Sequence, residues 1–242
     1  MSHDTTYIMT PGTDVARVAL RAGQWDQALA AVSALPASPA WPGDGLALRA
    51  QILADRFWWQ LGDPAEAEAA ADALAPVRPV LARFCAAQLA YARVVHAVGT
   101  RPGDPELARS GFAAAAADAG LAGWGAFWLG VLADHIDHAP DQARAAYTTA
   151  LDWARAHADW MLDSYAVRHL GDHALAGGDP AGLDLLRRSY HLRAALGARP
   201  QTAAAALTLA GALPPGPEAD QLRAAAEITA RELSLTWLLA AF

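Results

Sequence analysis

The chain has no lysine and no asparagine among its 242 residues. All 18 cationic side chains are therefore arginines, whose guanidinium stays charged at any pH a cell reaches. Without lysine there is no Schiff-base amine and no phosphate-loop lysine; without asparagine there is no acceptor for an N-linked glycan. The single cysteine, Cys85, excludes an internal disulfide and a cysteine-rich zinc site, and it suits a reducing, cytoplasmic location. A net charge of −7 and the lack of any basic run argue against nucleic-acid binding; Arg187-Arg188 is too short a patch to hold phosphates. No cationic segment followed by an apolar stretch occurs in Met1 to Thr10, so no signal peptide is expected. Ser110 to Ala133 is the longest weakly charged apolar run. Broken by Asp118 and rich in glycine and alanine, it reads as two buried helices with a turn, not as a membrane span. No Gly-x-Ser-x-Gly, Gly-x-Gly-x-x-Gly or phosphate-loop pattern is present, so serine hydrolase, dinucleotide and nucleotide chemistries lack a motif.

Helix formers are what is plentiful. Alanine supplies 63 of the 242 residues and loses no side-chain entropy in a helix, while strand formers are sparse and scattered. Hinges recur at Gly23, Gly62, Gly103, His138-Ala139-Pro140, Gly178 and Gly216, at steps of about 39, 41, 36, 39 and 38 residues. A constant step of this length marks stacked supersecondary units. Gly-Asp-Pro, at Gly62, Gly103 and Gly178, combines a helix stop, a cap and a residue suited to a first helical turn. Prolines 36, 39 and 42 punctuate the gap after the first hairpin, and prolines 76 and 79 the gap after the second. The expected architecture is all-α: one domain over 1–242, a right-handed solenoid of about six antiparallel helix hairpins. Residues 1–8 are expected to be disordered, and residues 233–242 to form a capping helix carrying Trp237.

These residues resemble the tetratricopeptide-type repeat. Leu129-Gly130 matches its small pair on a first helix, with Tyr147 and Ala150 on the second; Leu170-Gly171 followed by Gly178-Asp179-Pro180 and Leu183 matches again, and Phe84, Ala87 and Tyr91 fit first-helix positions. The unit from Tyr165 to Gly197 is similar to repeats in the C-terminal halves of large actinobacterial regulators. The period is longer than that family's 34 residues, and the fourth hinge lacks its glycine. The resemblance implies that the first helix of each hairpin lines a concave face.

On that face the expected inward residues are Arg56, Trp59 and Gln60, then Cys85, Leu89, Arg93 and His96, then Trp124, Phe127, Val131, Asp134 and His135 with Trp128 at the margin, and finally Tyr165, Arg168, His169 and Asp172. Arg56, Trp59, Arg93, Trp124, Trp128, Tyr165 and Arg168 are the candidate ligand-binding residues. Tryptophan also fills wide gaps between helices, so each could equally be core. Asp134, His135, His169 and Asp172 are the candidate acid–base residues: two helices side by side can bring Asp134 or Asp172 within reach to orient His135 or His169; ordinary ion pairing is the plain alternative. No metal or other cofactor is expected. The alternative is a metal held by His135, His138, His169 and His173, which lack any Glu-x-x-His pairing. Cys85 beside His96 could be a nucleophile or an inert core residue.

The sequence points first to a non-catalytic helical-repeat protein holding a protein or peptide segment, or another ligand, in its concave groove. The rival is an enzyme or small-molecule binder, for instance in specialised metabolism, using an Asp/His pair in a tryptophan-lined pocket without lysine or nucleotide cofactor. A homodimer through the C-terminal helix is a further expectation; neither nucleic acid nor membrane is an expected partner.

Overall fold

The computed structural model describes residues 11–35 and 43–242. The expected disorder of residues 1–8 and the prolines at 36, 39 and 42 lie outside the described residues. Thirteen helices and no strand occur among the described residues. They pair consecutively: α1 (Pro11–Arg21) with α2 (Trp25–Ser33), α3 (Asp44–Gln60) with α4 (Ala65–Leu74), and α5 (Pro79–Val95) with α6 (Asp104–Ala116). Then come α7 (Ala122–His135) with α8 (Pro140–Ala156), α9 (Trp160–Ala176) with α10 (Gly182–Ala195), and α11 (Arg199–Ala212) with α12 (Pro217–Leu233). A short α13 (Thr236–Leu239) follows. Each helix packs on the next in sequence, the pattern of a helical-hairpin solenoid. The run from Ser110 to Ala133 is the second half of α6, a turn and most of α7. No helix among the described residues is long and apolar enough to cross a membrane.

All six hinges fall between the two helices of a hairpin. Their chemistry follows the sequence only in part. Asp63 Oδ1 accepts from the Ala65 N–H at 3.0 Å, and Asp179 Oδ1 from the Ala181 N–H at 2.9 Å, so both aspartates satisfy first-turn donors. The left-handed residue, however, is Leu61 (φ 52°) at the second hinge rather than Gly62. At the fourth hinge, which lacks glycine, His138 takes that conformation (φ 51°).

Two glycines of the small pairs matter through contact. A Cβ on Gly130 would sit 2.9 Å from the Tyr147 ring, and one on Gly171 would sit 2.9 Å from the Gly182 carbonyl oxygen. Bare backbone there lets α8 lie close on α7, and α10 close on α9.

The core has two parts. One runs from α3 to α9 and includes Phe57, Phe84, Tyr91, Phe112, Phe127, Trp128 and Tyr147. The other joins the two ends of the chain: Ala16, Trp25, Ile52 and Trp59 from the first helices cluster with Ala203, Ala226, Leu235 and Leu238 from the last. Gln60 Nε2 donates to the Leu233 carbonyl at 3.1 Å and Thr236 Oγ1 donates to the Gln60 carbonyl at 2.7 Å, across more than 170 residues of sequence. The solenoid therefore does not remain an open curve. Its last helices close on its first, and α13 is the wedge in the seam, covering the first hairpins as well as the last.

Candidate functional site: a central aromatic cavity

The closed curve surrounds a cavity of about 560 Å³. Its wall comes almost entirely from the first helix of each hairpin, α1, α3, α5, α7, α9 and α11, with Arg193 from α10 and Trp237 and Leu238 from α13. Five tryptophans line it: Trp58, Trp59, Trp124, Trp128 and Trp237. Trp58 is the pivot. It stacks on Tyr91 with centroids 5.8 Å apart, and Trp128 and His96 meet it edge-on at 5.5 and 5.2 Å. Trp128 stacks on Phe112 at 5.2 Å, tying the wall to the core behind it.

Two aspartates of the wall fix tryptophans by charge-assisted hydrogen bonds. Asp159 accepts from Trp124 Nε1 at 2.9 Å with one oxygen and from the Leu162 N–H at 2.9 Å with the other, so one side chain both caps α9 and sets the Trp124 ring. Asp55 accepts from Trp25 Nε1 at 2.8 Å and from Trp59 Nε1 at 3.3 Å. Burial raises the Asp55 carboxyl to about 6 despite those two donors.

A second polar group lies between α5, α7, α8 and α9. Tyr91 OH and His135 Nδ1 are hydrogen-bonded at 2.7 Å. Asp134 Oδ2 accepts from Tyr147 OH at 3.2 Å and pairs with His173 Nε2 at 3.0 Å. His169 stacks on Tyr147 at 4.6 Å, and Arg168 Nη1 lies 3.3 and 3.2 Å from its two ring nitrogens. Arg168 Nη2 in turn pairs with Asp172 at 3.3 Å. Desolvation lowers His169 well below the usual histidine range, and the Arg168 charge adds to it. His135 is lowered first by desolvation, with Asp134 opposing. Both imidazoles are neutral near pH 7. Desolvation raises Asp172, with Arg168 opposing.

Of the expected site residues, Trp59, Trp124, Trp128, Tyr165, Arg168, His135 and His169 line the cavity, and Asp134 and Asp172 stand behind its wall as partners of Tyr147, His173 and Arg168. Two arginines are elsewhere. Arg56 lies at the outer seam, in a recess of about 230 Å³, bonded to Gln60 and paired with Asp26. Arg93 is 3 % exposed and makes a two-pronged pair with Asp104, at 2.9 and 2.6 Å, plus a third bond to Glu68. It holds α6 and α4 onto α5. In α3 and α5 the expected Trp59 and His96 face the cavity, but the rest of the wall is Gln51, Asp55 and Trp58, and Gln88, Tyr91 and Val95, so the faces read from sequence are displaced by part of a turn. Cys85 lies outside the cavity wall, and burial raises its thiol to about 12, which leaves no thiolate at neutral pH. Among the described residues, the grouping with possible metal donors is Asp134, His135 and His169, whose ligand atoms lie within 4.8 Å of one another; His138 and His173 are not in it. A guanidinium against His169 opposes a cation there.

Sequence reasoning missed Asp55, Trp58, Arg193, Gln201 and Trp237 as wall residues. Only Trp58 carried a signal, standing three positions after Asp55 on the same helix. Arg193 belongs to a second helix, and Gln201 to a hairpin whose first helix, like α1, shows no aromatic residue. Compared with family models, curated proteins and solved structures, the chain finds no match.

Proposed function

We propose that this protein binds a small organic molecule inside the central cavity, and that its hairpins are of the tetratricopeptide type adapted to surround a ligand. One observation carries the reading. Five buried side-chain atoms among the described residues lack a hydrogen-bond partner: His96 Nε2, Trp128 Nε1, Arg193 Nη2, Gln201 Oε1 and Trp237 Nε1. All five belong to side chains of the cavity wall. Each such atom costs roughly 1–3 kcal/mol, and their confinement to one wall is what a ligand with matching donors and acceptors would relieve. Neighbouring atoms cover them, so a ligand reaches them by parting the wall slightly. The volume of about 560 Å³ lies within the usual range for small-molecule sites. A peptide segment is supported less, because the joined ends leave no extended trough.

Acid–base catalysis on the bound molecule is a second reading, favoured by Asp55, whose carboxyl titrates at about 6 on the cavity wall. Asp134 and Asp172 are weaker candidates, since neither lines the cavity: they stand behind its wall as partners of Tyr147, His173 and Arg168.

The test is native mass spectrometry of the purified protein together with tryptophan fluorescence against a metabolite panel. Retention of a stoichiometric small molecule, or saturable quenching by one compound class, supports the reading. An empty protein, silent to the panel yet bound by peptides, would replace it with the peptide reading.

A further inference from the structure

Four arginines line the cavity, Arg17, Arg21, Arg168 and Arg193, against two aspartates, Asp55 and Asp159, although the whole chain carries a net charge of −7. The positive charge of the cavity thus runs against that of the molecule. It is concentrated where α9 and α10 meet. Arg193 is 3 % exposed; its guanidinium stacks over the Tyr165 ring at 4.4 Å, Nε donates to Ser164 Oγ at 3.3 Å and Nη1 donates to the Gln201 carbonyl at 3.1 Å. Nη2 has no acceptor, and no carboxylate among the described residues pairs with this guanidinium. The neighbouring cation, Arg168, has Asp172 as its one ion-pair partner among the described residues. Burial lowers the Arg193 guanidinium to about 10, with Arg168 adding repulsion and Asp172 opposing it. The group remains charged at pH 7.

A buried guanidinium with neutral partners on two nitrogens and nothing on the third is an unfinished electrostatic arrangement. Isolated charges in a low-dielectric interior are costly unless an opposite charge and hydrogen bonds offset them. Water does not offset this well, because five tryptophans with Tyr91, Phe127 and Tyr165 around the cavity make a poor hydrating surface. The group that fits is a planar anion. A carboxylate accepts two parallel N–H bonds from a guanidinium fork and leaves the remainder of the molecule free to lie on aromatic faces.

We propose that Arg193 and Arg168 form the anion pole of the cavity and bind the carboxylate of an aromatic or similarly flat organic acid, whose apolar body lies against Trp58, Trp124 and Trp128. This rests on the small-molecule reading and names its ligand class. The recognition is by Coulomb attraction and geometry, so the neutral amide of the same acid loses most of its affinity while keeping the same shape.

The experiment uses the full chain and three matched pairs of probes: benzoate and benzamide, 2-naphthoate and 2-naphthamide, indole-3-acetate and indole-3-acetamide. Affinities are read by tryptophan quenching and calorimetry. In at least one pair the acid binds tenfold or more tightly than the amide. That preference falls to within about twofold in Arg193→Gln, and Arg193→Lys restores part of it. Should Arg193→Gln fail to fold, Arg168→Gln, on a side chain that is partly exposed, gives the same readout. If acid and amide bind equally in the unaltered protein, the anion pole is wrong while the cavity stands as a neutral site. If an acid preference survives both substitutions, these arginines are not the pole. If no member of any pair binds, the anion proposal and the cavity reading fall together.

Discussion

Trp59 and Trp237 stack with ring centroids 5.4 Å apart, joining α3 to the C-terminal helix across the seam where the solenoid closes. Their neighbours make the contact a clasp: His96 also stacks on Trp237, at 5.7 Å, and Thr236 and Leu233 bond to Gln60. The α13 helix is too short to be stable alone and exists because this seam holds it. Trp237→Ala is expected to destabilise the protein by about 2–4 kcal/mol in urea unfolding, toward the lower part of the range for large aromatic deletions because the ring is only partly buried. Scattering should show an expanded molecule with its helix content intact. An unchanged radius of gyration would mean that the ends stay joined without this clasp.

Arg93 and Asp104, each 3 % exposed, hold the third hairpin together. Asp104 is held below the ordinary carboxylate range, first by its bond to Arg93. Arg93→Ala strands that carboxylate in the interior, and a loss of roughly 3–5 kcal/mol is expected, as for other broken buried pairs. Replacing both residues by apolar ones of similar volume should recover much of it. Ligand affinity should be unchanged in the double variant, because neither side chain reaches the cavity. A selective loss of binding with stability intact would return Arg93 to the site.

How far the sequence could be read follows from which residues carry a single meaning. The hinges do: Gly178 is left-handed just past the end of α9, Gly103 is left-handed just before the start of α6, and each lies between the helices of one hairpin. In α9, too, Tyr165, Arg168 and His169 face inward as their spacing implies. In α5 the same reasoning fails because nearly the whole circumference is buried, from Leu81 and Cys85 through Leu89 and Tyr91 to Arg93. With no polar face, periodicity cannot say which side points to the centre. The closure of the curve was invisible for a different reason. It depends on contacts such as Gln60 with Leu233, 173 residues apart, which no local pattern encodes.

Trp128 separates ligand binding from stability. Its ring is packed between Phe112 and Trp58, but its Nε1 has no partner. Trp128→Phe removes an unsatisfied donor worth roughly 1–3 kcal/mol and creates a small cavity of opposite effect. The unliganded protein should therefore keep its melting temperature to within a few degrees. The ligand-induced rise in that temperature, measured with whichever acid binds best, should shrink. Equal ligand-induced shifts in both proteins would show that this donor is not used.

Asp55 makes stability depend on pH with a predictable sign. Its carboxyl titrates at about 6 in the folded chain against 3.8 when free, chiefly through burial. The folded state thus holds this proton more tightly than the unfolded state does. The contribution is fully present below pH 4, declines as pH rises from about 4 to 6, and is gone above. At about 1.4 kcal/mol per unit the whole change is at most about 3 kcal/mol, and less to the extent that solvent reaches the group. Asp55→Asn abolishes the titration but leaves one of Trp25 Nε1 and Trp59 Nε1 facing an amide N–H, a loss of roughly 1 kcal/mol. Urea unfolding from pH 4 to 7.5 should therefore show a slope specific to the unaltered chain. The variant should be the less stable of the two at pH 4 and should close the gap, or overtake, above pH 6. Parallel curves across the range would mean that Asp55 ionises freely, and would remove it as a candidate acid–base group in the cavity.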